Sequence, residues 1–277
     1  MIYTYNKKYL ILSLISLILL LNISTFAQNA QEGKVADINE IQIYYEVHGN
    51  GMPLVLLHSY GASSSIWKSF IPQFEILFKV ISIDMRGHGA STYSPAGFTH
   101  HQSALDIFAL LDKLEITTFS AIGISSGALT LLQMATLNPS RIDKMIIIGA
   151  SSYFPNSARE VLAKNTIDNM SDADWYRMRQ FAKHGDEQIK WLQNQLVNFK
   201  DSYNDVNFTP PYLSLISAKT LIVHGDRDPL FPVDIAFDIY KAIPNSYLWI
   251  IPNGAHIPIY KYPEIFTQWS LDFLQNK

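Results

Sequence analysis

Thr118-Phe119-Ser120-Ala121-Ile122-Gly123-Ile124-Ser125-Ser126-Gly127-Ala128 is the stretch on which the reading of this chain turns. Thr118 to Ile122 is an apolar, strand-like run and Ala128 to Leu137 is helix-like, so Gly123-Ile124-Ser125-Ser126-Gly127 falls at a strand-to-helix turn. A turn that sharp holds its central residue at strained backbone angles. Small residues on either side let strand and helix pack closely while Ser125 Oγ projects outward. Ser126 is the rival hydroxyl, but only Ser125 has glycine two places before and two places after it.

A serine hydroxyl is a poor nucleophile near neutral pH and needs a base, and the base needs a group that fixes its tautomer. Downstream, His224-Gly225-Asp226-Arg227-Asp228-Pro229 follows one strand-like run and Asn253-Gly254-Ala255-His256 follows the next. Both Asp226 and Asp228 qualify by spacing as partners for His256. In a parallel sheet the loops at the carboxyl ends of strands converge on one edge, where such folds bind ligands. The order serine, acid, histidine along the chain differs from the orders in chymotrypsin and subtilisin.

The rest of the chain supports such a sheet. Val35 to Ile38 and Ile41 to Val47 read as a hairpin about Asn39-Glu40. Leu54 to Leu57, Val80 to Ile83, Lys144 to Ile148, Thr220 to Val223 and Ser246 to Ile251 read as strands, several of them apolar on both faces. Helices are expected at Ser65 to Leu77, Thr99 to Leu114, Ala128 to Leu137, Val233 to Ala242 and Tyr262 to Leu274. This alternation predicts an α/β fold with a doubly wound, mostly parallel sheet. Residues 153–215 break the rhythm with helical patterning only, over Ala173 to Lys183 and Glu187 to Phe199, before Pro210-Pro211. They are expected to be a helical lid inserted into a core made of 28–152 and 216–277. Its aromatic residues Trp175, Tyr176, Phe181, Trp191, Phe199, Tyr203 and Phe208 either line an acyl-binding cavity or form the lid's own small core.

Taken together, the His58-Ser59-Tyr60-Gly61 turn, the Asp84-Met85-Arg86-Gly87-His88-Gly89 loop, the Gly123 to Gly127 turn and the Asp228 and His256 loops give a chain that resembles the α/β-hydrolases from about Ile43 to Phe273. It is most similar to their lidded esterase, lactonase and cofactor-free haloperoxidase or perhydrolase branch. The resemblance implies Ser125 as nucleophile, His256 as base and then acid, and Asp228 as its orienter, with no cofactor and no metal. It also implies an oxyanion hole from the backbone N–H groups of Tyr60 and Ser126, although the first turn usually reads His-Gly and has Ser59 here. Serine rather than aspartate at 125 disfavours the alkyl-enzyme chemistry of the family's epoxide hydrolases and dehalogenases.

Residues 1–27 read as a secretory signal: Lys7 and Lys8, an apolar run from Leu10 to Leu21, then small residues before a cleavage site after Ala27. Export to a periplasm or medium is the expectation. Removing the two lysines moves the formal charge from −3 to −5, which leaves no basic surface to argue for nucleic acid. With no cysteine in the chain, disulfides and thiolate chemistry are excluded. His100-His101 lies at a helix start with no second close-spaced pair, which argues against a zinc site. The expected partner is a small ester or lactone. Carbon–carbon bond hydrolysis or perhydrolysis by the same residues, and a non-catalytic receptor on the same scaffold, are the alternatives.

Overall fold

Asn39 and Glu40 both adopt left-handed angles, φ 44° and 65°, and so turn strand β1 (Lys34–Ile38) tightly back along β2 (Ile41–His48). Here and below, the computed structural model describes residues 33–276, and the signal-like segment 1–27 lies outside them. After β2 come β3 (Met52–Leu57), the single-turn helix α1 (Ile71–Phe74), β4 (Phe78–Ile83), α2 (His100–Lys113), β5 (Phe119–Ile124), α3 (Ser126–Leu137) and β6 (Ile142–Ile148). Four helices follow without a strand: α4 (Asn156–Lys164), α5 (Asp172–Phe181), α6 (Asp186–Asn198) and α7 (Pro210–Leu213). The chain returns to the sheet with β7 (Lys219–Gly225), α8 (Val233–Ala242), β8 (Ser246–Ile251) and α9 (Pro263–Gln275).

The sheet runs in the order β1-β2-β4-β3-β5-β6-β7-β8. The pairings β1/β2 and β2/β4 are antiparallel and the other five are parallel. Strand β5, β3 from Leu54 and β6 from Lys144 are buried on both faces, which is why their sequences are largely apolar at successive positions rather than alternating. One face packs α2, α3 and α8 through residues such as Leu111, Leu131 and Ile235. The other packs Trp67, Phe70 and Phe74 together with Phe266 and Leu274 of α9.

The helix expected over Ser65 to Leu77 is two short pieces, a 3₁₀ turn at Ser64–Trp67 and α1. Pro72 explains the break: it has no N–H to donate, and its ring would clash with the carbonyl of the preceding turn. Helix α4 was not legible in the sequence. It is nine residues long and buries only Ala158 and Leu162, with the apolar Val161 on the cavity side.

Candidate active site

Ser125 sits between β5 and α3 at φ 51°, ψ −112°, angles that a residue with a Cβ reaches only under strain. Its N–H donates to Ile148 O at the end of the neighbouring strand, 2.8 Å away, and its own C=O accepts from Leu129 N–H in the first turn of α3. The two flanking glycines are required by contact. A Cβ on Gly123 would lie 2.6 Å from the Gly127 carbonyl carbon, and one on Gly127 would lie 2.5 Å from Leu57 O at the end of β3.

The turn after β7 brings Asp228 under His256, which follows β8. Asp228 Oδ2 is 2.7 Å from His256 Nδ1, and His256 Nε2 is 2.8 Å from Ser125 Oγ. An ionised carboxylate only accepts hydrogen bonds, so Nδ1 carries the ring proton and Nε2 is left to accept from the Ser125 hydroxyl. Burial pushes the Asp228 carboxyl up, but the His256 ring and the amides of Phe231 and Leu230 outweigh it and hold it below its ordinary value. Asp226, the other candidate acid, instead accepts from Gly254 N–H and so braces the histidine loop through its backbone.

The His58 turn is locked by its ring. Nε2 accepts from Met85 N–H at 2.9 Å, so Nδ1 bears the proton and donates to Ser59 O at 2.8 Å. Both ring nitrogens are committed in the neutral state, and burial holds the ring below its ordinary pKa. Asp84 ties the same region together by accepting from the amides of Ser64 and Ala90. Arg86 forms a buried two-point pair with Asp106 of α2. The Tyr60 hydroxyl donates to Leu192 O of α6, joining this turn to the helical insertion. Among the hydrogen bonds of the described residues none is donated by the amides of Tyr60 and Ser126, the latter being the first residue of α3, whose N–H has no partner within its helix.

A cavity of about 250 Å³ opens above Ser125 and His256. Its walls are mostly apolar: Leu129, Leu230 and Phe231 from the core, and Phe154, Val161, Leu162, Leu196 and Phe199 from the insertion. Of the seven insertion aromatics singled out in the sequence, Phe199 alone lines it. Trp191 stacks on Tyr93, Phe208 on Tyr212, and Tyr176 and Tyr203 are exposed. Among the described residues no three His, Asp or Glu side chains gather as a metal-binding group.

One constellation escaped the sequence reading. His100, buried at the start of α2, has Nδ1 2.6 Å from Asp205 Oδ2 and Nε2 3.0 Å from Ser126 Oγ. The second serine of the turn therefore has a histidine and an aspartate of its own. Asp205 lies 105 residues from His100, inside the insertion, with no local motif to mark it.

Residues 52–179 match the family described as having the alpha/beta hydrolase fold. The serine hydrolase BPHL of Homo sapiens is 31% identical over 265 residues, covering 91% of this chain and 89% of that protein. A putative non-heme chloroperoxidase of Synechocystis is 28% identical, covering 85% and 95%. The crystal structure of the enol-lactonase of Burkholderia xenovorans LB400 superposes with a TM-score of 0.73 at 22% identity, covering 87% of this chain and all of that one.

Proposed function

The chain belongs to the α/β-hydrolase family, and on that premise we propose that it is a serine hydrolase cleaving a carboxylic ester or lactone of a small, largely apolar substrate through an acyl-enzyme. The observation that carries this reading is the continuous hydrogen-bonded line from Ser125 Oγ through His256 to Asp228, ending on a serine held at φ 51°.

The substrate carbonyl enters the apolar cavity and Ser125 Oγ attacks it, passing its proton to His256 Nε2. Asp228 keeps Nδ1 protonated and stabilises the imidazolium as it forms. The developing oxyanion accepts from the amides of Tyr60 and Ser126, and one such donor is worth about 2.7–4 kcal/mol of transition-state stabilisation in other enzymes. Collapse expels the alcohol, which takes the proton from His256. Water, deprotonated by the same ring, then releases the acid and regenerates Ser125. Both serines line the cavity, but Ser125 is favoured over Ser126 as nucleophile because it is held at strained angles and because its histidine has a path to solvent. Ser126 is 3% exposed and its His100 1%.

Intact mass after treatment with a fluorophosphonate, run beside a panel of short p-nitrophenyl esters, tests the reading. One adduct lost in Ser125→Ala, together with ester turnover, is the expected result. Folded protein with neither would favour a receptor that binds without turnover. The segment 1–27 supports export as part of the proposal: protein recovered from the periplasm or medium should begin near Gln28, and an intact Met1 chain recovered in the membrane would refute cleavage.

A further inference from the structure

We infer that Ser126, His100 and Asp205 form a polar subsite beside Ser125, selecting acyl groups that carry a neutral hydroxyl close to the reacting carbonyl. The inference rests on the hydrolase reading and deepens it by naming a substrate class.

Three observations carry it. First, the trio is expensive to build. Asp205 is a largely buried carboxylate that accepts from His100 Nδ1 and from the amides of His100 and His101, and its backbone C=O accepts from Gln133 of α3. Burial raises its carboxyl, and the facing His100 outweighs burial and keeps it below its ordinary value. Capping the amides of α2 accounts for the aspartate alone, since no cap needs the ring of His100 turned toward Ser126. Second, His100 and Ser126 both line the cavity, whose other walls are dominated by leucine, valine and phenylalanine. Polar groups set into an apolar wall are costly unless they are paired.

Third, the direction of the hydrogen bonds leaves one place unfilled. Asp205 can only accept, so His100 Nδ1 donates to it. In the neutral ring Nε2 then accepts from the Ser126 hydroxyl. Ser126 Oγ makes no other hydrogen bond among the described residues, so its lone pairs remain to accept from a donor in the cavity. A substrate hydroxyl completes the line, donating to Ser126, which donates to His100, which donates to Asp205. No Lys, Arg, Asp or Glu side chain lines the cavity, so a charged substituent would find no counter-ion on its walls. Ser126 directly follows Ser125, and consecutive Cα atoms are about 3.8 Å apart. The hydroxyl is therefore placed on the α or β carbon of the acyl group rather than at its far end.

The test compares ethyl butyrate, ethyl 3-hydroxybutyrate, ethyl 3-aminobutyrate and monoethyl succinate, following acid release at constant pH with wild type, Ser126→Ala and His100→Leu. Within each protein the reading is the ratio of kcat/KM values, so any general loss of activity cancels. Ser126→Ala removes one oxygen and keeps the backbone amide, so the comparison survives even where His100→Leu fails to fold. Wild type is expected to prefer the hydroxylated ester over ethyl butyrate by about tenfold, the discrimination a single neutral hydrogen bond supplies. In the folded variants that ratio should fall to within about twofold of unity. Equal wild-type turnover of the two esters would overturn the subsite, as would a preference that Ser126→Ala leaves intact, and neither result touches the hydrolase reading. Preference for the aminated or carboxylated ester would overturn the neutral assignment. No turnover of any ester and no fluorophosphonate adduct would bring down both.

Discussion

Gly127→Ala is the sharpest perturbation of the geometry on which the proposed chemistry depends. The new Cβ would meet Leu57 O at 2.5 Å, Leu57 C at 2.7 Å and His58 O at 2.8 Å, all backbone atoms that no rotamer change can move aside. Ordinary contact begins near 3.4 Å, so the end of β3 and the start of α3 must part by about 1 Å. Those two ends carry the Tyr60 and Ser126 amides and hold Ser125 under His256. A displacement of about 1 Å at reacting groups costs on the order of 10²-fold in rate. Overpacking costs about 1–3 kcal/mol of stability, which for a domain of this size lowers Tm by about 2–12 °C. Gly185→Ala is the contrasting comparison. Gly185 has a left-handed angle, φ 75°, which Gly127 does not, and nothing lies within 4 Å of its Cβ position, so that change should lower Tm through backbone strain while kcat holds. Steady-state kinetics on a short ester and thermal unfolding of both variants decide the matter. A Gly127→Ala enzyme with wild-type kcat would refute the claim that close packing of strand and helix sets the site.

Three further outcomes are expected. Ser125→Gly should abolish ester turnover yet raise Tm by a few degrees, because glycine occupies φ 51° without strain and relief is worth about 1 kcal/mol; an unchanged or lower Tm would show the turn unstrained. Asp228→Asn should cost about 10³–10⁴-fold in kcat, and Asp226→Asn only a few-fold, since Asp226 touches the histidine loop through Gly254 N–H; the reverse ranking would exchange their roles. Stability should fall in mild acid: burial holds His58, His88 and His224 below the ordinary value of 6.5, so the unfolded chain takes up protons that the fold refuses. Stability is then full above about pH 6.5 and is lost as pH falls below it, by up to about 1.4 kcal/mol per pH unit for each ring. Urea unfolding at pH 7.5 and 5.5 measures this, and equal midpoints would refute it.

Whatever in this site depends on neighbours in sequence was legible before any coordinates. The hairpin at Asn39-Glu40, the parallel strands and the positions of Ser125 and His256 follow from glycine placement, apolar runs and loops at strand ends, whereas spacing left Asp226 and Asp228 open and only the family resemblance favoured Asp228. The helix over Ser65 to Leu77 was misread because its apolar positions outvoted Pro72, whose missing N–H decides the local structure. The substrate cavity was legible only in part, and for a physical reason. Its outer wall comes from α4, which the sequence reading missed, and α6, which it found, but which of a helix's residues turn toward a cavity leaves no periodic trace.

The contrast between the two serine arrays carries the same lesson further. Ser125, Asp228 and His256 sit in loops that the parallel sheet must bring to one edge, so topology predicts that these loops meet, though not which aspartate of the first, Asp226 or Asp228, faces the histidine. His100 meets Ser126 because the starts of α2 and α3 lie side by side, and Asp205 reaches them from an insertion whose path the sheet does not dictate. The groups proposed to do the chemistry are therefore written into the fold. The groups proposed to choose the substrate hang instead on the hydrogen bonds that Asp205 of the insertion makes to the start of α2, which lie outside the sheet.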